Sequence, residues 1–150
     1  MSMVNKRLLR RFFDEIYNQG DLRVADEIVA VNYVNHNPAP GEAPGRAGFK
    51  TFVAYLRRAF ADFHITIEDQ VAEGDKVVTR FTIRGVQASE FAGIPATGKF
   101  ASVTAIGIHR VVDGQIVESW LNWDALGLMR QLGARRRDIG ISSTLIIDAS

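Results

Sequence analysis

Cysteine is absent from this 150-residue chain, which removes disulfides, thiolate nucleophiles and cysteine-bound zinc together. Histidine is scarce. His36, His64 and His109 form no i, i+4 pair and no HExxH pattern, so no metal site is expected. A strong charge of either sign is also missing: the formal net charge is +1. Basic residues are scattered apart from Arg135–Arg136–Arg137, and no basic stripe carries interleaved aromatics, so nucleic acid is not an expected partner. No apolar run reaches membrane-spanning length. The opening MSMVNKRLLRRFF is charged and amphipathic, unlike the apolar core of a signal peptide. The expectation is a soluble, cytoplasmic protein that engages no membrane.

A chain of this length favours one domain, hiding roughly 70% of its unfolded surface, enough for a core and a pocket. Leu8, Leu9, Phe12, Phe13 and Ile16 recur at helical spacing, predicting an amphipathic helix over 5–18 that Gly20 ends. Asp21 then caps a short helix carrying Leu22, Ala25, Ile28 and Val29. Three of the four prolines fall between Asn37 and Pro44, so Tyr33–His36 reads as extended and the following residues as a loop. Phe49, Phe52, Val53, Leu56 and Phe60 mark a third helix.

The period then changes. Phe63, Ile65, Ile67 and Val71 alternate with polar residues, as in a half-buried strand. Glu73–Gly74–Asp75 is a turn, Val77–Val86 a second strand, and Ala88–Lys99 a loop. Phe100–Val112 and Gln115–Trp123 flank Asp113–Gly114, a hairpin signal. Ala125–Leu132 closes the pattern as a helix stopped by Gly133. Helices first and antiparallel strands afterwards predict an α+β fold with helices on one face of a curved sheet. The domain is expected at 1–133. A tail at 134–150 is left as edge strand, interface segment or disorder.

The stretch ESWLNWDALGLMRQLG at 118–133 carries the chemical signal. It sets Asp124 among two tryptophans and several leucines, where strand gives way to helix. A carboxylate there is costly to desolvate, and burial raises its pKa toward a general base's range. The plainer reading is a cap on the following helix. The two roles are compatible.

Four motifs occur in order: YVNHNP at 33–38, GFKTFVAYLRRAFADFHITIEDQVAEGDKVVTRFTIRG at 48–85, FAGIPATGK at 91–99 and IHRVVDGQIVESWLNWDALGLMRQLG at 108–133. Together they resemble the SnoaL-like polyketide cyclases of the nuclear transport factor 2-like superfamily. The resemblance implies a cone-shaped curved antiparallel sheet that closes with its helices around one deep apolar pocket. It implies cofactor-independent chemistry on a small apolar or aromatic carbonyl ligand, with Asp124 as general acid/base for an intramolecular aldol closure. His36 matches the family's histidine near the pocket mouth, where it polarises a carbonyl or positions Asp124. The superfamily commonly dimerises through its sheet face, so a homodimer is expected.

Strand alternation places Asn122 and Trp120 on the face of Asp124, with Leu121 and Trp123 opposite. Asn122 is then positioned to bond a substrate oxygen and Trp120 to stack on a flat ring. Tyr33, Phe52, Leu56 and Phe60 are expected to line or support the cavity, and Phe91, Ile94 and Pro95 to cover its entrance. His64 is expected exposed, and His109 receives no role. Many relatives read Gly-Thr-His where this chain has Gly85–Val86–Gln87. Gln87 keeps a hydrogen-bonding group at that place.

Other activities on the fold fit less well. Epoxide hydrolysis wants an Arg-x-Asp pair that Phe100–His109 lacks. A steroid-isomerase oxyanion hole wants a tyrosine where Phe13 stands. Cofactor-free hydroxylation, ligand binding without turnover, and subunit docking remain alternatives.

Overall fold

Helix α1, Ser2–Arg11, opens the computed structural model, which describes residues 2–134. The chain then widens into a π-helical segment, Phe12–Asn18, in which Gln19 N donates to Asp14 O at 3.0 Å. The sequence predicts one regular helix here. The wider winding brings Phe12, Phe13 and Ile16 into the core together, with Phe13 and Tyr17 both ring-packed on Phe12. A π segment spreads neighbouring side chains differently from a 3.6-residue turn, so rings adjacent in sequence share one face. Arg57 closes its C-terminal end by donating to Tyr17 O and Asn18 O at 2.6 and 2.7 Å. Gly20 (φ +72) takes the left-handed backbone that favours glycine, and a Cβ there would press on the Arg57 side chain.

Helix α2, Arg23–Ile28, runs directly into strand β1, Val29–Asn35. Val29, expected in the helix, is the first strand residue and fully buried. Helix α3, Gly45–Ala59, follows Pro44 and leads into β2, Phe60–Glu73. Then come β3, Lys76–Gln87; β4, Phe100–Val112; β5, Gln115–Trp123; and α4, Ala125–Leu132. The sheet order is β1-β5-β4-β3-β2, with β1 parallel to β5 and the other pairs antiparallel. The expected α+β fold with a curved sheet is present. Asp113 (φ 51) and Gly114 (φ 75) form the tight β4–β5 turn, since both residues must adopt positive φ in that geometry.

Strand alternation sorts the sheet into two faces. Ala101, Val103, Ala105, Gly107, His109 and Val111 of β4 point inward, and Phe100, Thr104 and Ile106 outward. The inner face packs against Leu9, Phe12, Phe13, Ile16, Phe49 and Val53 from the helices. Burying each such large side chain contributes about 1.5–3 kcal/mol. A bulge bends β2 between Ala61 and His64. The Asn18 amide fills in as a strand partner there, donating to Ile65 O at 2.9 Å and accepting from Ile65 N at 2.7 Å. That bond pair fixes the first helix to the bend.

Among the described residues no helix is long and apolar enough to cross a membrane. The Arg135–Arg137 cluster and all of the 134–150 tail beyond Ala134 lie outside the described residues.

Candidate functional site

Asp124 follows the last residue of β5 and caps α4, its Oδ1 accepting from Gly127 N at 2.8 Å. The side chain is exposed. The expected desolvation is therefore not what this carboxylate experiences. Alternation lapses where β5 ends at Trp123, and capping turns the carboxylate toward the helix axis rather than into the core. Gly127 permits that turn, because a Cβ there would lie 2.1 Å from Asp124 Oδ2. Asp124 borders a shallow open depression of about 320 Å³, shared with Arg80, Thr104, Ile106, Asn122 and Trp123. Asn122 thus stands beside Asp124, as the sequence indicates. Trp123 is 37% exposed.

Trp120 and His36 lie on the outer face. Trp120 pairs with Ile108 and Asn122 with Ile106 across β4–β5, both partners having the parity of the outward Thr104. His36 N donates to Ser119 O, which lays the end of β1 along β5. The imidazole stacks on Trp120, and its Nε2 lies 2.7 Å from Glu118 Oε2. Arg110 holds the other Glu118 oxygen. The His36 and Arg110 hydrogen bonds hold the Glu118 carboxyl below the usual glutamate range. His36 therefore pairs with Glu118 and has no contact with Asp124 among its hydrogen bonds. Among the described residues no group of three or more His, Asp or Glu side chains gathers as a metal site.

The buried polar groups sit on the inner face. Tyr33 hydrogen-bonds Ser119 through their hydroxyls, and burial pushes the Tyr33 phenol up to about 12, so it stays protonated. Directly across from Ser119 on β4 is His109, 5% exposed and edge-packed on Phe12 and Phe13. Burial pushes its imidazole down to about 4, so the ring is neutral at ordinary pH. Its Nδ1 is sealed from water without a hydrogen-bond partner. Sequence reasoning passed His109 over. Its shared parity with Val103, Ala105 and Val111 was the available signal.

Phe60 and Phe91 are buried, whereas Phe52 and Leu56 are only half-buried. Phe91 and Ile94 pair through mutual backbone bonds of 3.0 and 2.8 Å around Ala92 and Gly93, both at positive φ. Phe91 stacks on Tyr55 and meets Phe60 edge-on. Gln87, expected as a pocket donor, is fully buried and spends its amide on this loop. Its Nε2 donates to Ile94 O at 2.9 Å, and its Oε1 accepts from Thr97 N and Oγ1 at 3.2 and 2.7 Å. The loop backbone, with its own unpaired groups, captures the amide before any ligand can.

Comparison with known proteins accords with this architecture. A family model described as SnoaL-like polyketide cyclase matches residues 7–132. Aklanonic acid methyl ester cyclase DnrD of Streptomyces peucetius is 33% identical over 133 residues, covering 84% of this chain and 88% of the relative. The cyclase DauD of Streptomyces sp. (strain C5), with the same description, is also 33% identical, covering 84% and 80%. The structure of TsrD from Streptomyces laurentii superposes with a TM-score of 0.83 at 35% identity, covering 90% of this chain and 98% of that one. With its curved sheet, its helices and these sequence matches, the chain belongs to the SnoaL-like polyketide cyclase family.

Proposed function

We propose that this protein acts without a cofactor on a small, flat, largely apolar compound bearing several carbonyls, with Asp124 as general acid/base for ring closure. The carboxylate takes a proton from a carbon between two carbonyls. The resulting enolate carbon attacks a carbonyl of the same molecule, a carbon–carbon bond forms, and the new alkoxide recovers the proton. Holding both ends of one molecule folded supplies much of the rate, because the reacting carbons need not find each other by diffusion. Asn122, beside Asp124, is the amide assigned to a substrate oxygen, and the exposed Arg80 guanidinium in the same depression favours a developing negative charge.

One observation carries this reading beyond family membership. Asp124 Oδ1 is committed to the helix cap, while Oδ2 has no hydrogen bond to any described residue. One oxygen fixes the group and the other is available for a proton. We further assign a homodimer interface to the outer sheet face away from that depression, supported by Phe100, which is 58% exposed there.

A second reading, ligand binding without turnover, is favoured by that same cap, which gives Asp124 a sufficient structural reason to be present. The test is a turnover assay on linear aromatic polyketones, wild type beside Asp124→Asn. The catalytic reading expects product from wild type, and retained binding without product from the variant. Equal product from both removes Asp124 from the mechanism, and binding without product in either supports the second reading.

A further inference from the structure

We infer that Arg80 anchors a carboxylate of the substrate, so that the flat carbonyl compound lies across three strands of the outer face, its acidic end at Arg80 and its reacting end at Asp124. The inference rests on the site and substrate class proposed above. It adds a substituent that the substrate carries and the direction in which the substrate lies.

The depression is laid out in rows. Arg80 pairs with Ile106 across β3–β4, and Ile106 with Asn122 across β4–β5. A cation, an apolar side chain and an amide thus stand in one line on the outer face, all bordering the depression. Two strand spacings separate the ends of that line, roughly 10 Å of backbone. Thr104 and Asp124 form the neighbouring row, tied by the bond from Asp124 N to Thr104 O at 3.1 Å. Between the two ends Ile106 is 48% exposed. A flat ring laid over it takes that apolar surface out of water.

The second observation is Arg80 itself, exposed and without a hydrogen bond or ion pair to any described residue. Acids are near, because the β2 bulge places Glu68 and Asp69 beside it. Both are turned to other work. Glu68 accepts from Thr82 Oγ1 at 3.1 Å, and Asp69 lines a separate cleft with Lys6 and Arg10 of α1. Arg11, Arg23, Arg46 and Arg110, by contrast, each hold a carboxylate of this chain. A guanidinium left open beside an apolar platform matches a ligand carboxylate through two parallel N–H donors.

The two charges set the direction. Asp124 repels an anionic group at its end of the depression, where its Oδ1 is already held by Gly127 N. Arg80 attracts one at the opposite end. A ligand with a single carboxylate therefore lies one way round. That orientation brings the carbonyls distant from the acid to Asn122 and to the free Asp124 oxygen. A neutral compound of the same outline lies either way.

The test is equilibrium dialysis of two probes of matched outline, anthraquinone carboxylate and the neutral anthraquinone carboxamide. At low salt, wild type is expected to bind the acid about fivefold more tightly, the usual ceiling for an ion pair at an exposed site. The preference is expected to fade at high salt, which screens exposed charges. Arg80→Gln is expected to bind both probes as wild type binds the carboxamide. Arg80→Lys, which keeps the charge without the fork, is expected to restore part of the preference. Arg84→Gln removes the next outward arginine of β3, which does not border the depression, and is expected to leave the preference intact. On unmodified protein, the Arg80 side-chain N–H signals in NMR are expected to shift with the acid and not with the carboxamide. Equal affinity of wild type for both probes, no binding of either, a preference that survives Arg80→Gln, or one lost equally in Arg84→Gln would overturn the assignment. Because nothing is turned over, failure here is separable from failure of the Asp124 chemistry: Asp124→Asn is expected to bind the acid at least as tightly as wild type does.

Discussion

The His36 imidazole lies flat on the Trp120 indole, with ring centroids 4.7 Å apart and planes 4° from parallel. That stack, anchored by Glu118, clamps the end of β1 to the outer face of β5. Replacing His36 with alanine is expected to uncover Trp120, and acrylamide quenching of tryptophan emission should rise. Unchanged quenching would mean that the stack does not persist in solution.

The Glu118 carboxyl, held low first by His36 and then by Arg110, stabilises the fold once ionised. Its contribution is present above the ordinary glutamate pKa and is lost as pH falls through the depressed one. Wild type should therefore exceed Glu118→Gln in denaturant midpoint near neutrality. The gap should close on the acid side, and a gap independent of pH would remove the carboxylate charge from the explanation.

His109 gives a second, differently placed acid sensitivity. Its folded value of about 4 lies below its ordinary value of 6.5. Above 6.5 both states are neutral and pH has no effect through this group. Between the two values the unfolded chain binds a proton that the native chain refuses, so stability falls with pH until about 4 and then levels. The total is about 3 kcal/mol. Urea titrations across this window should show His109→Phe lacking that slope, and equal slopes would contradict a buried neutral imidazole.

Gln87→Leu keeps the side-chain volume but strips three hydrogen bonds from the 88–99 loop. Leaving those loop groups without partners should cost about 1–3 kcal/mol. Amide exchange should quicken at Gly98 and Ile94, with the β3–β4 ladder little changed. Uniform acceleration across the sheet would make Gln87 a global core residue instead of a loop tether.

At Asp124 structure and chemistry separate cleanly. Asparagine still caps a helix, whereas alanine does not, and losing the cap costs about 1 kcal/mol. Thermal unfolding should rank wild type close to Asp124→Asn and above Asp124→Ala. Turnover should be absent in both variants. Activity that follows stability, rather than the presence of the carboxylate, would leave only the capping role.

The elements themselves were legible because their signals are local. The Asp113–Gly114 turn, the alternation of β4 and the Gly133 stop each depend on a few adjacent residues, and each is where the sequence places it. The π winding at Phe12–Asn18 was hidden, since its apolar spacing also satisfies an ordinary helix. The faces of β5 were correctly divided, with Trp120 and Asn122 opposite Leu121 and Trp123, but apolar character cannot name the inner set when both sets carry a tryptophan. Hydrogen-bonding commitments were less legible still. Gln87 and His36 each find partners distant in sequence, Thr97 and Glu118, that no local pattern announces.

The pairing of β1 with β5 brings Val29 beside Ile116, joining a segment near the start of the described fold to one near its end. During synthesis, β1 must wait without its sheet neighbour until most of the domain has left the ribosome, because its partner is the last strand made. Closing so distant a pair carries a large chain-entropy cost and slows folding. Until then the apolar residues of β1, Val29 and Tyr33 among them, are open to other chains. Slow translation or a missing C-terminal third should therefore show first as aggregation of nascent protein, well before any effect on the mature molecule.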